Sequence, residues 1–191
     1  VFMTTSLMVC IKTNLTQMGH NVTLVDKNSN VNYSSFDLIV VAGRPISESS
    51  LDGFVANLPV NDIPTIAIDY YYPDGWGWAV SITSIISSQP HQVNIYNTSH
   101  PIVSNFSGTV AVHNIPGCSG CPPVCNGCSL GVVSMENTKT NLSSIATNPF
   151  WGYRVIAAAE PNFTLLNGQK TKGRIVFFGI TYPVYWSINA T

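Results

Sequence analysis

The sequence predicts an α/β domain with a doubly wound, mostly parallel sheet and antiparallel strands added in its second half. In the first half, segments with helical periodicity alternate with short apolar segments, which is typical of β-α-β crossovers. Segment 37–43 (DLIVVAG) is almost continuously apolar, as expected for a central parallel strand that is buried on both faces. In the second half, strand-like segments follow one another with turn residues between them, which predicts the antiparallel part.

The first predicted element is a helix, because apolar residues recur at steps of three and four before Gly19, a residue type that commonly ends helices. This stripe consists of Met3, Leu7, Met8, Ile11, Leu15 and Met18. Strands are predicted over 21–26, 37–43, 65–72, 92–96, 108–113, 130–135, 153–160 and 173–180. Helices are predicted over 47–58 and 78–88, and another is predicted to begin within 181–191.

Length and charge limit the classes of protein that fit. The 191 residues suit a single domain, 1–191, with a sizeable core. Charged residues make up 9% of the chain and the net charge is −1, so no basic surface for nucleic acid or anionic membranes is expected. No run of 18 apolar residues is present, so no membrane span is expected. The first residue is Val1, which indicates a processed chain or a trimmed piece of a longer one.

Polarity comes mainly from asparagine, serine and threonine, and eight asparagines begin an N-x-[ST] triplet. They are Asn14, Asn21, Asn32, Asn97, Asn105, Asn141, Asn162 and Asn189. The chain contains 18 Asn, and 36 of its 191 residues are Ser or Thr, so chance would give roughly three to four such triplets. The excess predicts an extracellular chain that carries covalent N-glycans, and glycans would keep a protein with few charges soluble.

Four of the five cysteines lie within 118–128 (CSGCPPVCNGC), at Cys118, Cys121, Cys125 and Cys128. In an extracellular chain, clustered cysteines favour structural disulfides, and we expect two within this loop. A metal knuckle and a redox centre are the alternatives. Zinc ribbons separate their two CxxC pairs by more than three residues, and thioredoxin-type motifs lie where a strand enters a helix. Cys10 is left over and is expected to be a buried thiol.

Four segments carry a resemblance to a known family: QMGHNVTLVD (17–26), FDLIVVAGRPIS (36–47), NTSHPIVSNFSG (97–108) and KGRIVFFGI (172–180). Their order resembles the flavodoxin-like domain of the class I glutamine-amidotransferase-like superfamily, particularly its secreted, ThuA-like relatives. The resemblance implies that both ends of this domain are trimmed, since Val1-Phe2 is all that corresponds to the first strand.

The resemblance does not extend to the family's chemistry. Amidotransferases carry a cysteine nucleophile on a sharp turn between a strand and a helix. Here the strand predicted over 65–72 is followed by a turn without cysteine, and Cys10 lies on the first helix. No catalytic residue, metal or cofactor is therefore predicted. If a site exists, Asp69, Asp74 and His100 are expected to converge near the carboxyl ends of the strands, where open α/β sheets bind ligands.

The segment DYYYPDGWGW (69–78) contains five aromatic residues in nine positions: Tyr70, Tyr71, Tyr72, Trp76 and Trp78. One interpretation is an aromatic surface that packs against sugars or a neighbouring subunit. The other is that the tyrosines end a strand and the tryptophans cover its core.

Together these features predict a non-enzymatic extracellular structural domain. We expect it to be a repeating subunit of a filament or surface layer that self-associates into a homo-oligomer or fibre. A strand donated by a neighbouring copy would replace the missing first strand. The alternative function is a secreted hydrolase or carbohydrate-binding module of the amidotransferase-like superfamily.

Overall fold

The computed structural model describes residues 6–25, 30–42, 54, 56–68, 73–87, 92–111, 130–149 and 151–179. The first element is helix α1, Ser6–Gln17, as the apolar stripe predicts. It ends where Gly19 takes a φ of 90°, a backbone conformation that costs glycine little. The amide of His20 then donates to the carbonyl of Leu15 at 3.0 Å, which satisfies one of the free carbonyls of the last turn.

In the described part of the chain, nine strands follow α1. They are β1 Ile39–Ala42, β2 Thr65–Ile68, β3 Thr83–Ser87, β4 Gln92–Ile95, β5 Gly108–Ala111, β6 Leu130–Ser134, β7 Ser143–Thr147, β8 Arg154–Ala159 and β9 Ile175–Phe178. Seven form one sheet in the order β1-β2-β9-β8-β7-β4-β5, and β3 pairs with β6 in a separate two-stranded sheet.

The doubly wound, mostly parallel fold predicted from the sequence is wrong. Among the described strands of this sheet, only β1–β2 and β2–β9 pair in parallel, whereas β9–β8, β8–β7, β7–β4 and β4–β5 are antiparallel. Helix α1 is the one α-helix that lies wholly within the described residues. Phe54 and Ala56, within the helix predicted over 47–58, are also helical. Direct connections join β4 to β5, β7 to β8 and β8 to β9, and such connections make neighbouring strands antiparallel. The result is a mixed α/β fold with a mostly antiparallel sheet.

Individual elements were predicted better than their arrangement. Seven predicted strands correspond to observed ones. The predicted strands that begin at 37, 65, 92, 108, 130, 153 and 173 match, in that order, β1, β2, β4, β5, β6, β8 and β9. Residues 21–25 do not form a strand, and the helix predicted over 78–88 is wrong because β3 occupies 83–87. Strand β7 was not predicted. Residues 181–191 and 47–53 lie outside the described part of the chain.

Each face of the seven-stranded sheet is covered by its own apolar cluster. The strand register places Val41, Ala67 and Phe177 in one row, and these residues belong to a first core. The next row, Ile66 and Val176, points to the opposite face and contributes to a second core. The first core also contains Leu58, Val60, Trp76, Trp78, Met135, Leu142 and Leu165, and the second contains Val93, Val103, Ile145 and Val155.

Tyr33 packs against the first core, and its hydroxyl is buried without a hydrogen-bond partner among the described residues. Burial raises the pKa of Tyr33 above its usual value, because desolvation disfavours the phenolate. The folded state therefore favours the neutral phenol. The stability that the neutral phenol of Tyr33 contributes is complete below the tyrosine pKa of the unfolded chain, about 10. It is lost as the pH rises through the higher pKa of Tyr33 in the folded state.

Tyr33→Phe is expected to leave the free energy of unfolding at pH 7 unchanged or to raise it by up to about 1 kcal/mol, since an unpaired buried hydroxyl is removed. The variant should also lose less stability than the parent protein between pH 9 and about 11. Urea denaturation at several pH values measures both effects. Tyr96→Phe is the control at pH 7, because the Tyr96 side chain is 79% exposed. A marked loss of stability in Tyr33→Phe would mean that the hydroxyl has a partner.

Candidate functional site

An apolar groove lies on the second-core face of the sheet, over β2 and β9. Its floor is formed by alternate residues of these strands, Ile66, Ile68, Val176 and Phe178, and it encloses about 760 Å³. Leu38, Pro64, Ile102 and Pro161, which lie outside the strands, also line it. The described lining of the groove is therefore mostly apolar.

Charged residues lie at the end of the groove where β9 begins. Glu160 accepts hydrogen bonds from Arg174 at 3.0 Å from Nε and pairs with its guanidinium at 2.9 Å. Lys172 pairs with Asp62 at 2.9 Å. All four side chains are at least half exposed, so each pair contributes roughly 0–1 kcal/mol to stability. Within each pair the two opposite charges neutralise each other, so these pairs add no net positive charge at this end of the groove.

His100 joins this cluster from the loop between β4 and β5. It begins the short 3₁₀ turn Pro101–Val103, and its Nδ1 accepts a hydrogen bond from the amide of Ile102 at 3.3 Å. Because Nδ1 is the acceptor, the neutral ring carries its proton on Nε2. Nε2 lies 4.0 Å from Glu160 Oε1, and the ring is 12% exposed. This distance is too long for a direct hydrogen bond. The two loops therefore lie side by side, but His100 and Glu160 do not form a proton relay.

The structure does not bring Asp74 and His100 together. Asp74 is exposed, and its Oδ1 accepts from the amide of Gly75 at 2.9 Å. The loop that carries Asp74 packs on the first core through Trp76 and Trp78, whereas His100 lies beside the groove on the opposite face. Asp69 lies outside the described residues.

Trp76 and Trp78 are 3% and 0% exposed, so they belong to the core and offer no surface to a partner. Their rings lie 5.0 Å apart, inclined at 54°. Trp78 Nε1 donates to Asn61 Oδ1 at 2.7 Å, and Asn61 Nδ2 donates to the carbonyl of Trp76 at 3.1 Å. For these two residues the core interpretation is correct. Tyr70, Tyr71 and Tyr72 lie outside the described residues, as do Cys118, Cys121, Cys125 and Cys128.

Seven of the eight sequon asparagines lie in the described part of the chain. Asn14, Asn21, Asn32, Asn105, Asn141 and Asn162 are exposed and Asn97 is half-buried, while Asn189 lies outside that part. Asn14 is on α1 and the other six are in connections between elements. Asn162 has a φ of 68°, a conformation that asparagine tolerates better than most residues. Six of the seven described positions are thus exposed to solvent, as an attached glycan requires.

The cluster of His100, Glu160 and Arg174 was not predicted as a unit. The pattern His100-Pro101 indicates a turn, but Glu160 lies far along the chain and meets it because β8 runs back to β9 beside the β4–β5 loop. No local pattern in the sequence encodes that approach.

Comparison of the chain with protein-family models, with curated proteins and with solved structures gave no match. The resemblance to the amidotransferase-like superfamily therefore stays a prediction. Within the described residues, no helix is long and apolar enough to cross a membrane.

Proposed function

We propose that this protein is an extracellular, N-glycosylated domain that serves in assembly rather than catalysis. The observation that supports it most is the accessibility of the sequon asparagines together with the apolar side chains beside them. Tyr96 and Phe106 are 79% and 52% exposed, and each is adjacent in sequence to a sequon asparagine, Asn97 and Asn105. Single exposed apolar residues are normal on soluble proteins, and attached glycans would lie beside these two rings.

The chemistry of the groove favours binding over catalysis. Among the described residues that line it, one carries a hydroxyl, Thr65, which is buried and donates to the carbonyl of Ile63 at 2.9 Å. Nucleophilic catalysis needs a nucleophile within hydrogen-bonding reach of a base. His100 instead uses Nδ1 to cap a turn. A hydrolase is therefore the weaker candidate, and the groove leaves a small-ligand or carbohydrate-binding module as the alternative.

Glycan mapping tests the proposal. When the protein is secreted from a eukaryotic host and deglycosylated enzymatically with an isotopic label, we expect label at most of the eight sequons, including Asn97, Asn105, Asn141 and Asn162. Asn137 is exposed but begins no sequon, so it is the internal control that should stay unlabelled. Occupancy of two sites or fewer would contradict an extracellular glycoprotein of this kind.

A further inference from the structure

The chain contains two Asn-Gly pairs, and the pair Asn167-Gly168 lies within the described residues. It forms the tip of a short hairpin over 164–170, in which the amide of Leu165 donates to the carbonyl of Gln169 at 2.8 Å. Gly168 has a φ of 82°, as is usual for glycine in three-residue hairpin loops. Both residues of the pair are exposed. Solvent therefore reaches this asparagine.

An asparagine side chain can react with the peptide group that follows it. The backbone nitrogen of the next residue, once a base has removed its proton, attacks Cγ. The new C–N bond closes a five-membered succinimide ring, and the side-chain nitrogen leaves as ammonia. Water then opens the ring at either carbonyl, which gives aspartate or isoaspartate. Glycine as the next residue favours this reaction, because it has no Cβ to obstruct the approach of its nitrogen.

The hydrogen bonds of the hairpin support the reaction at Asn167. The amide of Gln169 donates to Asn167 Oδ1 at 3.0 Å. Negative charge develops on Oδ1 when Cγ is attacked, so this donor stabilises the transition state as an oxyanion-hole donor does. The amide of Gly168 donates to the carbonyl of Leu165 at 2.9 Å and has to leave it before it can react. Opening one hydrogen bond at the exposed tip of a hairpin costs little free energy.

The side chain of Asn167 is connected to the first core by hydrogen bonds. Its Nδ2 donates to Gln169 Oε1 at 3.2 Å, and the same oxygen accepts from Asn61 Nδ2 at 3.2 Å. Asn61 Oδ1 in turn accepts from Trp78 Nε1 at 2.7 Å. Asn167 also lies against Gly77, where its carboxamide occupies the position that a Cβ would take. A change at Asn167 can therefore reach the buried Trp78 through two side-chain amides.

We propose that Asn167 is a site of spontaneous deamidation in the folded protein. The reaction consumes one water, releases one ammonia and needs no oxidant or reductant. An aspartate at this position has acceptors only, so the Gln169 carboxamide turns its NH₂ group toward it and its oxygen away from Asn61. An isoaspartate adds a methylene group to the backbone of the tip. Both products loosen the contact between the hairpin and the segment that carries Trp78. The proposal is independent of the proposed function, because no glycan or partner takes part.

Ageing the purified protein in heavy-oxygen water tests the reaction. Peptide mapping by mass spectrometry follows it, since water supplies one oxygen of the new acid, and enzymatic methylation detects isoaspartate. Asn167 begins no sequon, because Gln169 is at the third position, so enzymatic deglycosylation does not convert it. Asn137 is the internal control. It is also exposed and its Oδ1 is also hydrogen-bonded, but it is followed by Thr138, whose branched Cβ obstructs the backbone nitrogen.

We expect Asn167 to convert at least about tenfold faster than Asn137, because the geometry of attack decides the rate. The rate should rise in proportion to the hydroxide concentration. Gly168→Ala should slow the conversion by about tenfold or more, since its Cβ obstructs the attacking nitrogen. Circular dichroism during ageing verifies that the protein stays folded. Conversion that occurs only after unfolding in urea, that is no faster than at Asn137, or that is as fast in Gly168→Ala would overturn the proposal.

Asn167→Asp reproduces one product and tests its effect on the core. We expect the indole N–H resonance of Trp78 to shift and its exchange with solvent to become faster, because Asn61 loses its bond to Gln169. Asn30→Asp is the control, since it makes the same change from amide to acid at an exposed residue before β1 and should leave this resonance unchanged. An unchanged Trp78 resonance in Asn167→Asp would show that the effect of deamidation stays within the hairpin.

Discussion

Gly173→Ala is expected to lower the free energy of unfolding by about 3 kcal/mol, the largest effect among the substitutions considered. A Cβ at this position would overlap the backbone nitrogen of Pro64 and lie 2.5 Å from the carbonyl carbon of Ile63. Neither backbone group can shift easily. The amide of Thr65 donates to the carbonyl of Arg174 at 2.9 Å, and the amide of Lys172 donates to the carbonyl of Asn61 at 2.7 Å.

Urea denaturation followed by circular dichroism measures this loss. Gly168→Ala is the control, because Gly168 has a φ of 82° but open space around the position of its missing Cβ. We expect it to lose only about 1 kcal/mol from backbone strain. Equal losses of stability in Gly173→Ala and Gly168→Ala would show that the close approach of residues 63–64 is not the reason why alanine is unfavourable at position 173.

Arg154→Met is expected to lower the free energy of unfolding by roughly 2–3 kcal/mol. The guanidinium donates from Nη1 to the carbonyls of Thr140 and Leu142, and from Nε to Asn137 Oδ1. Burial lowers the pKa of Arg154 from its ordinary value, which indicates partial desolvation, yet the group stays charged. Hydrogen bonds from a charged donor contribute roughly 1.5–3 kcal/mol each, and the substitution leaves carbonyls without their partner.

Arg174→Met is the matched control for Arg154→Met, because Arg174 contributes a half-exposed ion pair with Glu160. We expect it to lose less than about 1 kcal/mol. Thermal and urea unfolding of both variants check the difference. If Arg174→Met proved as damaging as Arg154→Met, the charged groups at the groove would stabilise the fold more than their exposure indicates.

The sequence predicted most strands but not how they pair. Apolar runs such as IVVA in β1 and IVFF in β9 are visible in any window of the sequence. The partners of β9, parallel β2 and antiparallel β8, depend on contacts between distant segments that no local pattern records. Strand β7 escaped prediction because it begins with Ser143 and Ser144, and its pairing with β8 is interrupted by register shifts.

The candidate site shows the same limit. The eight sequons can be read from the sequence. That five of them lie in connections at the end of the sheet where β9 begins follows only from the register of the strands. These five are Asn32, Asn97, Asn105, Asn141 and Asn162. The aromatic segment left two interpretations open because its composition fits both. Packing decided between them for Trp78, whose ring nitrogen donates to Asn61 inside the core.

The position of β9 also sets the order in which the sheet can be completed. β9 comes last along the chain among the described strands, yet it lies between β2 and β8. On a ribosome, β1 and β2 emerge long before the strand that joins them to the antiparallel half. Such dependence on distant contacts makes folding slow and leaves apolar strands exposed meanwhile. The sequons at 32, 97, 105, 141 and 162 all emerge before β9. If the protein is N-glycosylated as proposed, glycans added during synthesis would reach an unfinished sheet and keep it soluble until β9 closes it.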